Sequence, residues 1–444
     1  MRYGGAFNYA HSINWESAAR LKSNLLNEAI LDDGQALYRV RASQKMMAKV
    51  TNVNITAEEL RKKIALAGGD PNAKTIEAAF LHTVKQPKLA KQPQNVVLIV
   101  GESFGQWPFL PKFKDLGLVD HMLALQNSSN AVHINTMLAH GNGTISAING
   151  LLTGLPYTGL YENYQPMSMK EKYATGIGYI MQKLGYKTVF WYGGFPGWQN
   201  LKNFVLVQSF DEFHCADEFG YEGGNAWGCP DELLLKKIEE YMDKEQNGKK
   251  VFHMVLTTSN HPPYTLDIDK MGFPRAKVRE KLPDDIANDD NTLTELGHIW
   301  YADKTMGEFV KRTEKKHTDS LYIITGDHSE RFTFAIEQDN RTLSAIPCIF
   351  YGQGVKQNWF SGNSIGCHMQ IAGTLAEILA NTGFRYSAMV PNVFIKNEYA
   401  FNHRLIANGK DVYVQNKYKN KSINKKIAAI RNIGAWRELQ GNSF

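Results

Sequence analysis

Thr144 sits in the run Gly141-Asn142-Gly143-Thr144-Ile145-Ser146. Two other motifs each end an apolar run with ionisable groups. Asn95 to Val100 leads into Gly101-Glu102-Ser103, and Leu321 to Thr325 leads into Gly326-Asp327-His328-Ser329. A carboxylate, a hydroxyl and an Asp-His pair, each at or near the C-terminal end of an expected strand, can converge on one metal ion. The carboxyl ends of strands are where an α/β sheet binds ligands. Oxygen and imidazole ligands together suit Mn²⁺, Zn²⁺ or Mg²⁺. A hydroxyl held on such an ion becomes a usable nucleophile near neutral pH. The combination points to enzymatic chemistry at phosphorus or sulfur.

Each residue also has a plainer reading. A Glu at a strand end, such as Glu102, is ordinarily solvated. Thr144 begins an expected helix, so it reads first as an N-cap threonine. A helix N-terminus also binds anions through its free N–H groups, so capping and phosphate binding compete for the same place. Thr257-Thr258-Ser259-Asn260-His261-Pro262-Pro263-Tyr264 follows another apolar strand. His261, stiffened by its neighbours, can contact a substrate oxygen or protonate a leaving group, or it is a turn histidine. Trp191, Trp198 and Trp227 line a pocket or fill the core, with core packing favoured for Trp191.

The elements that must position these groups alternate. Strands are expected at 95–100, 131–134, 188–192, 251–257, 321–325 and 346–351. Helices are expected near 144–152, 171–184, 230–242, 293–314 and 370–381. Strands separated by helices mean an α/β fold, a mostly parallel sheet with helices on both faces. Val96 to Val100 is apolar throughout, as in a strand buried on both sides. The stretch 262–292 reads as a long surface loop. Residues 1–93 read as helical, without β-type runs. Trp15, Ala18, Leu21, Leu25 and Ala29 recur at helical spacing. Thr56 to Glu59 is a capping box, and Gly68-Gly69 stops the helix it opens. The Pro/Lys-rich stretch 85–93 marks a boundary. The domains expected are 1–93, a helical juxtamembrane-type segment and linker; 94–400, the metal-dependent catalytic domain; and 401–444, a basic C-terminal tail packed on or extending from the catalytic domain.

The chain has 444 residues and 43% hydrophobic content, enough for one large core with an appendage. No apolar run approaches the roughly 18 residues of a membrane span. Met1-Arg2-Tyr3-Gly4-Gly5 leads into polar sequence without a signal-peptide core. That pattern reads as cytoplasmic, or as a chain whose leading membrane segment is not included in the sequence. The net charge of +6 is concentrated from Lys410 onward, where eight Lys/Arg face two Asp/Glu. With Tyr413, Tyr418 and Trp436 interleaved, this tail could face anionic headgroups; the plainer reading is a solvated surface helix. No nucleic-acid-binding motif accompanies it. Of four cysteines, Cys215 and Cys229 could pair in an oxidising compartment, against a default of buried thiols. No CxxC spacing supports a zinc-thiolate site.

Taken in order, Val100-Gly101-Glu102-Ser103, Gly141 to Ser146 with Leu151 to Pro156, Thr257 to Tyr264, and Ile324 to His328 form a recognisable set. They resemble the lipoteichoic acid synthase-like, phosphoglycerol transferase branch of the sulfatase/alkaline phosphatase superfamily. The resemblance runs from about 95 to about 383. Asn225 to Glu232 and Tyr301-Ala302-Asp303 also resemble the family's Trp-Gly-x-Pro-Asp and Tyr-x-Asp stretches. It implies that Glu102, Thr144, Asp327 and His328 bind one divalent metal, commonly Mn²⁺. It implies a Thr144 nucleophile forming a phosphothreonine-type intermediate and a substrate-contacting His261, with Trp198 and Asn142 as further substrate contacts. The implied partners are a phospholipid headgroup donor, a glycan or lipid acceptor and the membrane surface, with no nucleic acid. The implied location is extracytoplasmic, behind N-terminal transmembrane helices, with 1–93 joining membrane to catalytic domain.

Three departures narrow the expectation. Thr144 to Ile148 lacks the Cys or Ser and the Arg of the formylglycine motif, against sulfate ester hydrolysis. Trp198-Gln199-Asn200 lacks the arginine of the family's Trp-Asn-Arg, which leaves glycerol-phosphate recognition open beside a phosphoethanolamine transferase, a soluble phosphodiesterase or a silent envelope-binding domain. Gln370 stands where the family often has Asp, which favours one metal over two.

Overall fold

The computed structural model describes residues 55–221, 227–245, 248–329, 339–395 and 398–444, with scattered positions between 26 and 41. Trp15, Ala18, Leu21 and Leu25 lie outside the described residues.

The main sheet is built from strands β2 (Asn95–Gly101), β3 (Ala131–His133), β5 (Lys187–Tyr192), β6 (Glu212–Cys215), β7 (Val251–Leu256), β8 (Ser320–Gly326) and β10 (Cys348–Gly352). Their order across the sheet is β3-β10-β8-β2-β7-β5-β6. β8, β2, β7, β5 and β6 run parallel, while β10 is antiparallel to both its neighbours. Period-2 alternation sends Val96, Leu98 and Val100 into one apolar layer and Val97 and Ile99 into the other. Both faces are therefore buried, which is what a βαβ-type sheet requires.

The helices covering it are α2 (Asp120–Gln126), α3 (Thr144–Thr153), α4 (Ile177–Lys183), α5 (Leu201–Val207), α6 (Asp231–Lys244), α7 (Asp290–Lys316) and α8 (Ile371–Leu379); α1 (Ala57–Ala67) precedes and α9 (Lys421–Gln440) follows. α3, α4, α5 and α8 contribute to one layer. α2, α6 and α7 contribute to the other.

Three smaller sheets frame this core. β1 (Leu81–Thr83) pairs with β12 (Arg385–Ser387), a strand that the helical reading of 1–93 did not include. β4 (Thr136–Leu138) lies between β11 (Ile365–Cys367) and β9 (Ala345–Ile346). β13 (Ala400–Phe401), β14 (Leu405–Asn408) and β15 (Asp411–Val414) form a meander. The capping box forms as read: Glu59 N–H donates to Thr56 Oγ1 and Thr56 N–H to the Glu59 carboxylate. Gly68 ends α1 at φ 93, a left-handed position that favours glycine.

Three expectations change. The stretch 262–292 is not one loop: it carries short helices at Arg275–Arg279 and Asp284–Ala287, and α7 already starts at Asp290, capped by Asp289. The expected helix at 171–184 begins only at Ile177, because the chain reaches Gly176 in extended conformation. The basic C-terminal helix is not a solvated rod. Ile423, Ile427, Ile430 and Ile433 of α9 are buried with Leu60 and Ile64 of α1. Cys215 and Cys229 are buried free thiols, held protonated by burial, which pushes them up to about 11 and about 12.

Candidate active site

β8, β2 and β7 are adjacent and parallel, so their C-terminal ends share one edge of the sheet. Gly101 pairs with Gly326, which sets Glu102 and Asp327 side by side. The two glycines leave room for tight backbone there; a Cβ on Gly326 would overlap the Phe104 carbonyl. Past β2 the chain turns through Ser103 at φ 50. That turn aims Ser103 N–H at Asp327 Oδ1, 2.7 Å away, and Ser103 Oγ donates to Glu102 Oε1 at 2.9 Å. His328 N–H donates to the same Asp327 Oδ1 at 2.6 Å.

Thr144 enters from β4 and the glycine-rich loop. It is not the N-cap its sequence position suggested. Gly143 takes that place in extended conformation, and Thr144 is the first helical residue of α3. Its hydroxyl is thereby released from capping and donates to Glu102 Oε2 at 3.0 Å. Gly141 is needed in this loop because a Cβ there would overlap Ser146. A Cβ on Gly143 would meet nothing within 4 Å, so the approach to the start of α3 is open.

Glu102, Asp327 and His328 are buried and offer ligand atoms all within 4.8 Å of one another. His328 Nε2 lies 3.8 Å from Glu102 Oε1 and 3.6 Å from Asp327 Oδ2. Two carboxylates, an imidazole and a hydroxyl packed this closely fit a divalent cation. Without one, two carboxylates in a water-poor pocket carry a desolvation cost that a cation offsets.

The wall beyond β7 is wired into this cluster. Thr257 Oγ1 accepts from Glu102 N–H at 3.0 Å, and Asn260 Nδ2 donates to the Glu102 and Ser103 carbonyls. Asp231 Oδ1 accepts from Thr258 and Ser259 N–H, and Ser259 Oγ accepts from Asp231 N–H. Burial pushes the Asp231 carboxyl up to about 6. This ladder holds His261, which follows Asn260. The His261 Nδ1–H donates to the Pro262 carbonyl at 2.6 Å, and its ring lies 3.6 Å, centroid to centroid, from Trp227. Asp303 acts elsewhere: its two oxygens accept from His121 and Met122 N–H at the start of α2.

Of the residues expected at the site, the fold brings Glu102, Thr144, Asp327 and His328 together. It holds His261 on the adjoining loop. Asn142 is exposed two residues before Thr144. Trp198 is half-buried against Tyr192, rings 5.7 Å apart, and Asn200 spends its amide on the Asn163 carbonyl. Gln370 is fully buried; its side chain accepts from Cys367 N–H and donates to the Pro391 carbonyl. It braces a turn, which explains why an amide serves there. Asn260 was expected to stiffen His261, but its bonds to the Glu102 and Ser103 carbonyls and the supporting roles of Ser103 and Thr257 were missed. Only their adjacency to Glu102 and His261 in sequence could have flagged them.

A family model described as Sulfatase matches residues 94–379. Two solved structures share the fold. One is a protein in the alkaline phosphatase superfamily from Vibrio parahaemolyticus, at a TM-score of 0.64 and 19% identity over 87% of this chain and 96% of that one. The other is the lipoteichoic acid synthase LtaP from Listeria monocytogenes, at 0.58 and 17% identity over 85% and 96%.

Proposed function

The chain belongs to the sulfatase family, and we propose that within it the chain is a metal-dependent phosphotransferase. It would move a phosphoglycerol-type headgroup from a phospholipid, through a covalent Thr144 intermediate, to a glycan or lipid acceptor of the cell envelope. The observation that carries this is the Thr144 hydroxyl, free of capping and 3.0 Å from Glu102, at the mouth of a helix and beside Asp327 and His328. The substrate class is taken from the likeness to the lipoteichoic acid synthase.

Glu102, Thr144, Asp327 and His328 would hold one divalent ion, Mn²⁺ by this reading, and the ion when bound supplies Lewis-acid stabilisation of a Thr144 alkoxide. The remaining steps belong to the chain. Glu102 orients the Thr144 oxygen, whose proton would pass to solvent as the alkoxide forms, and the oxygen attacks phosphorus. The unpaired first-turn amides of α3 hold the non-bridging oxygens as charge builds on them. As the Thr144–phosphorus bond forms, the bond from phosphorus to the diacylglycerol oxygen breaks. His261 donates the proton that the leaving oxygen takes up. Its Nδ1 is committed to Pro262, so Nε2 is the proton-carrying atom in this role. An acceptor hydroxyl then displaces Thr144 and returns a proton to His261. Thr144 lacks the Cys or Ser and the Arg of the formylglycine motif, so sulfate ester hydrolysis is not proposed. No helix among the described residues is long and apolar enough to cross a membrane. The domain would work at the extracytoplasmic membrane face.

Intact-protein mass spectrometry tests this reading. The protein is incubated with Mn²⁺ and mixed anionic and zwitterionic phospholipids, with Thr144→Ala as control. A mass gain absent from the variant is expected, and its size names the headgroup, phosphoglycerol or phosphoethanolamine. No adduct and no lipid turnover from a metal-loaded protein would overturn it.

A further inference from the structure

The nucleophile and the carboxylate-imidazole cluster stand on different sheets. Thr144 follows β4 of a three-stranded sheet, whereas Glu102, Asp327 and His328 follow β2 and β8 of the main sheet. Chemistry at phosphorus needs these groups held within a fraction of an ångström, so something must fix one sheet relative to the other.

His368 stands at that junction. It follows β11, which runs parallel to β4 with Cys367 opposite Leu138, so it emerges beside the chain that leads to Thr144. Its ring is 1% exposed and both nitrogens are used. Nδ1 accepts from His140 N–H at 3.2 Å, four residues before Thr144. Nε2–H donates to the Gly326 carbonyl at 3.0 Å, one residue before Asp327. These partners require the neutral Nε2–H tautomer, because a protonated ring could not accept from His140. Gln370 clamps the turn from Cys367 that aims the ring.

We propose that His368 is a positioning residue, a cross-brace that sets the distance between the Thr144 hydroxyl and the Glu102–Asp327–His328 cluster. The proposal rests on the metal-and-threonine reading above. It assigns the two ring nitrogens separate duties: Nδ1 registers the nucleophile loop, and Nε2 registers the loop carrying two of the expected metal ligands.

Two substitutions separate the arms. Glutamine places an amide N–H near the position of Nε2 and can keep the Gly326 bond. Asparagine places a carbonyl oxygen near the position of Nδ1 and can keep the His140 bond. Mn²⁺ affinity is measured by calorimetry on the full chain, and formation of the Thr144 adduct in a single turnover. His368→Gln is expected to hold Mn²⁺ within about twofold of wild type while adduct formation slows about 100-fold, the scale of a small misplacement. His368→Asn is expected to lose about 10-fold or more in Mn²⁺ affinity, the scale of an outer-shell support. If both variants match wild type in affinity and rate, the brace is refuted. Equal loss of affinity, rate and melting temperature in both would also refute it, since that reports packing alone. If wild type forms no adduct, the transferase reading fails, and the Mn²⁺ contrast between the two variants still decides the brace.

Discussion

In the proposed reading one hydroxyl carries the chemistry, and its partner is a buried carboxylate just past the end of β2. Replacing Thr144 by Ser keeps the oxygen that donates to Glu102. Thr144→Val keeps the shape and removes it. Serine should therefore retain adduct formation at a rate reduced about 10-fold or less, because the β-methyl that fixes χ1 is gone. Valine should form none, and mass spectrometry of the two distinguishes nucleophile from scaffold. Asp303 illustrates a residue whose burial has a purely structural consequence. Burial pushes its carboxyl up to about 7, against an ordinary value of about 3.9. Where the unfolded chain has already lost this proton, the native chain keeps it. Its contribution to stability is thus complete below about pH 4 and declines as pH rises through about 7. Asp303→Asn cannot titrate, and it sets an amide N–H against one of the two backbone donors. Denaturant unfolding should show the variant less stable by about 1–3 kcal/mol near pH 4, with a gap that narrows toward pH 8. A gap that widens with pH would contradict the assignment.

At the scale of elements, α3 does two things with its first turn. It delivers Thr144, and it leaves its leading amides without a side-chain cap, since Gly143 has none to offer. A serine at 143 meets no steric obstacle and its φ of −163° suits any residue. Its hydroxyl would bond the N2 or N3 amide. Gly143→Ser should raise thermal stability slightly, by a few tenths of a kcal/mol, while slowing adduct formation, because the amides expected to hold phosphoryl oxygens are taken. Faster turnover in this variant would argue that the helix N-terminus plays no part. At the other side of α3, Gly150 packs on His140; a Cβ there would overlap the imidazole. Gly150→Ala should cost about 1–3 kcal/mol through overpacking despite alanine's higher helix propensity, and unfolding curves read it directly.

Across the whole molecule, the last 40 or so residues are integral to the site although they lie beyond the segment matched as Sulfatase. Asn402 Nδ2 donates to the Ala139 carbonyl at 2.8 Å and His403 N–H to the His140 carbonyl at 3.2 Å. The loop that leads to Thr144 is thus held from the C-terminal meander as well as by His368. The meander is fastened in turn by α9. Arg431 of that helix donates to the Asn402 and His403 carbonyls. Arg437, 1% exposed, reaches Glu77 at 3.0 Å and Glu171 at 2.8 Å, with Tyr173 against its guanidinium. Arg437→Met should destabilise by about 2–3 kcal/mol, less than a fully buried pair because Glu171 reaches solvent. Mn²⁺ affinity should stay unchanged, since none of the expected metal ligands touches Arg437. The lysines that made this tail read as basic lie on the outward face of the same helix; Lys421 and Lys425 are exposed.

The sequence by itself determined the α/β class, because apolar runs of strand length separated by helical periodicity admit few architectures. It also determined which residue types could meet at the edge of the sheet, since Glu102, Asp327 and the loop of His261 each follow an apolar strand directly. The capping box and the Gly68 stop were legible because they are local. What the sequence left open is everything that depends on partners distant along the chain. Thr144 read as a cap until Gly143 took that place and Glu102, 42 residues away, accepted its hydroxyl. β6 and the small sheets were missed because strands of two to four residues carry too little alternation to stand above their surroundings. The buried face of α9 stayed hidden behind its lysines until α1 was found against it. Asp231, Asp303 and Gln370 were visible as family-like positions, but their duties as backbone clamps exist only where the fold places unpaired N–H groups within 3 Å or so of a side-chain oxygen. Local pattern chose the parts and the edge on which they gather. Long-range hydrogen bonds decided which of them touch.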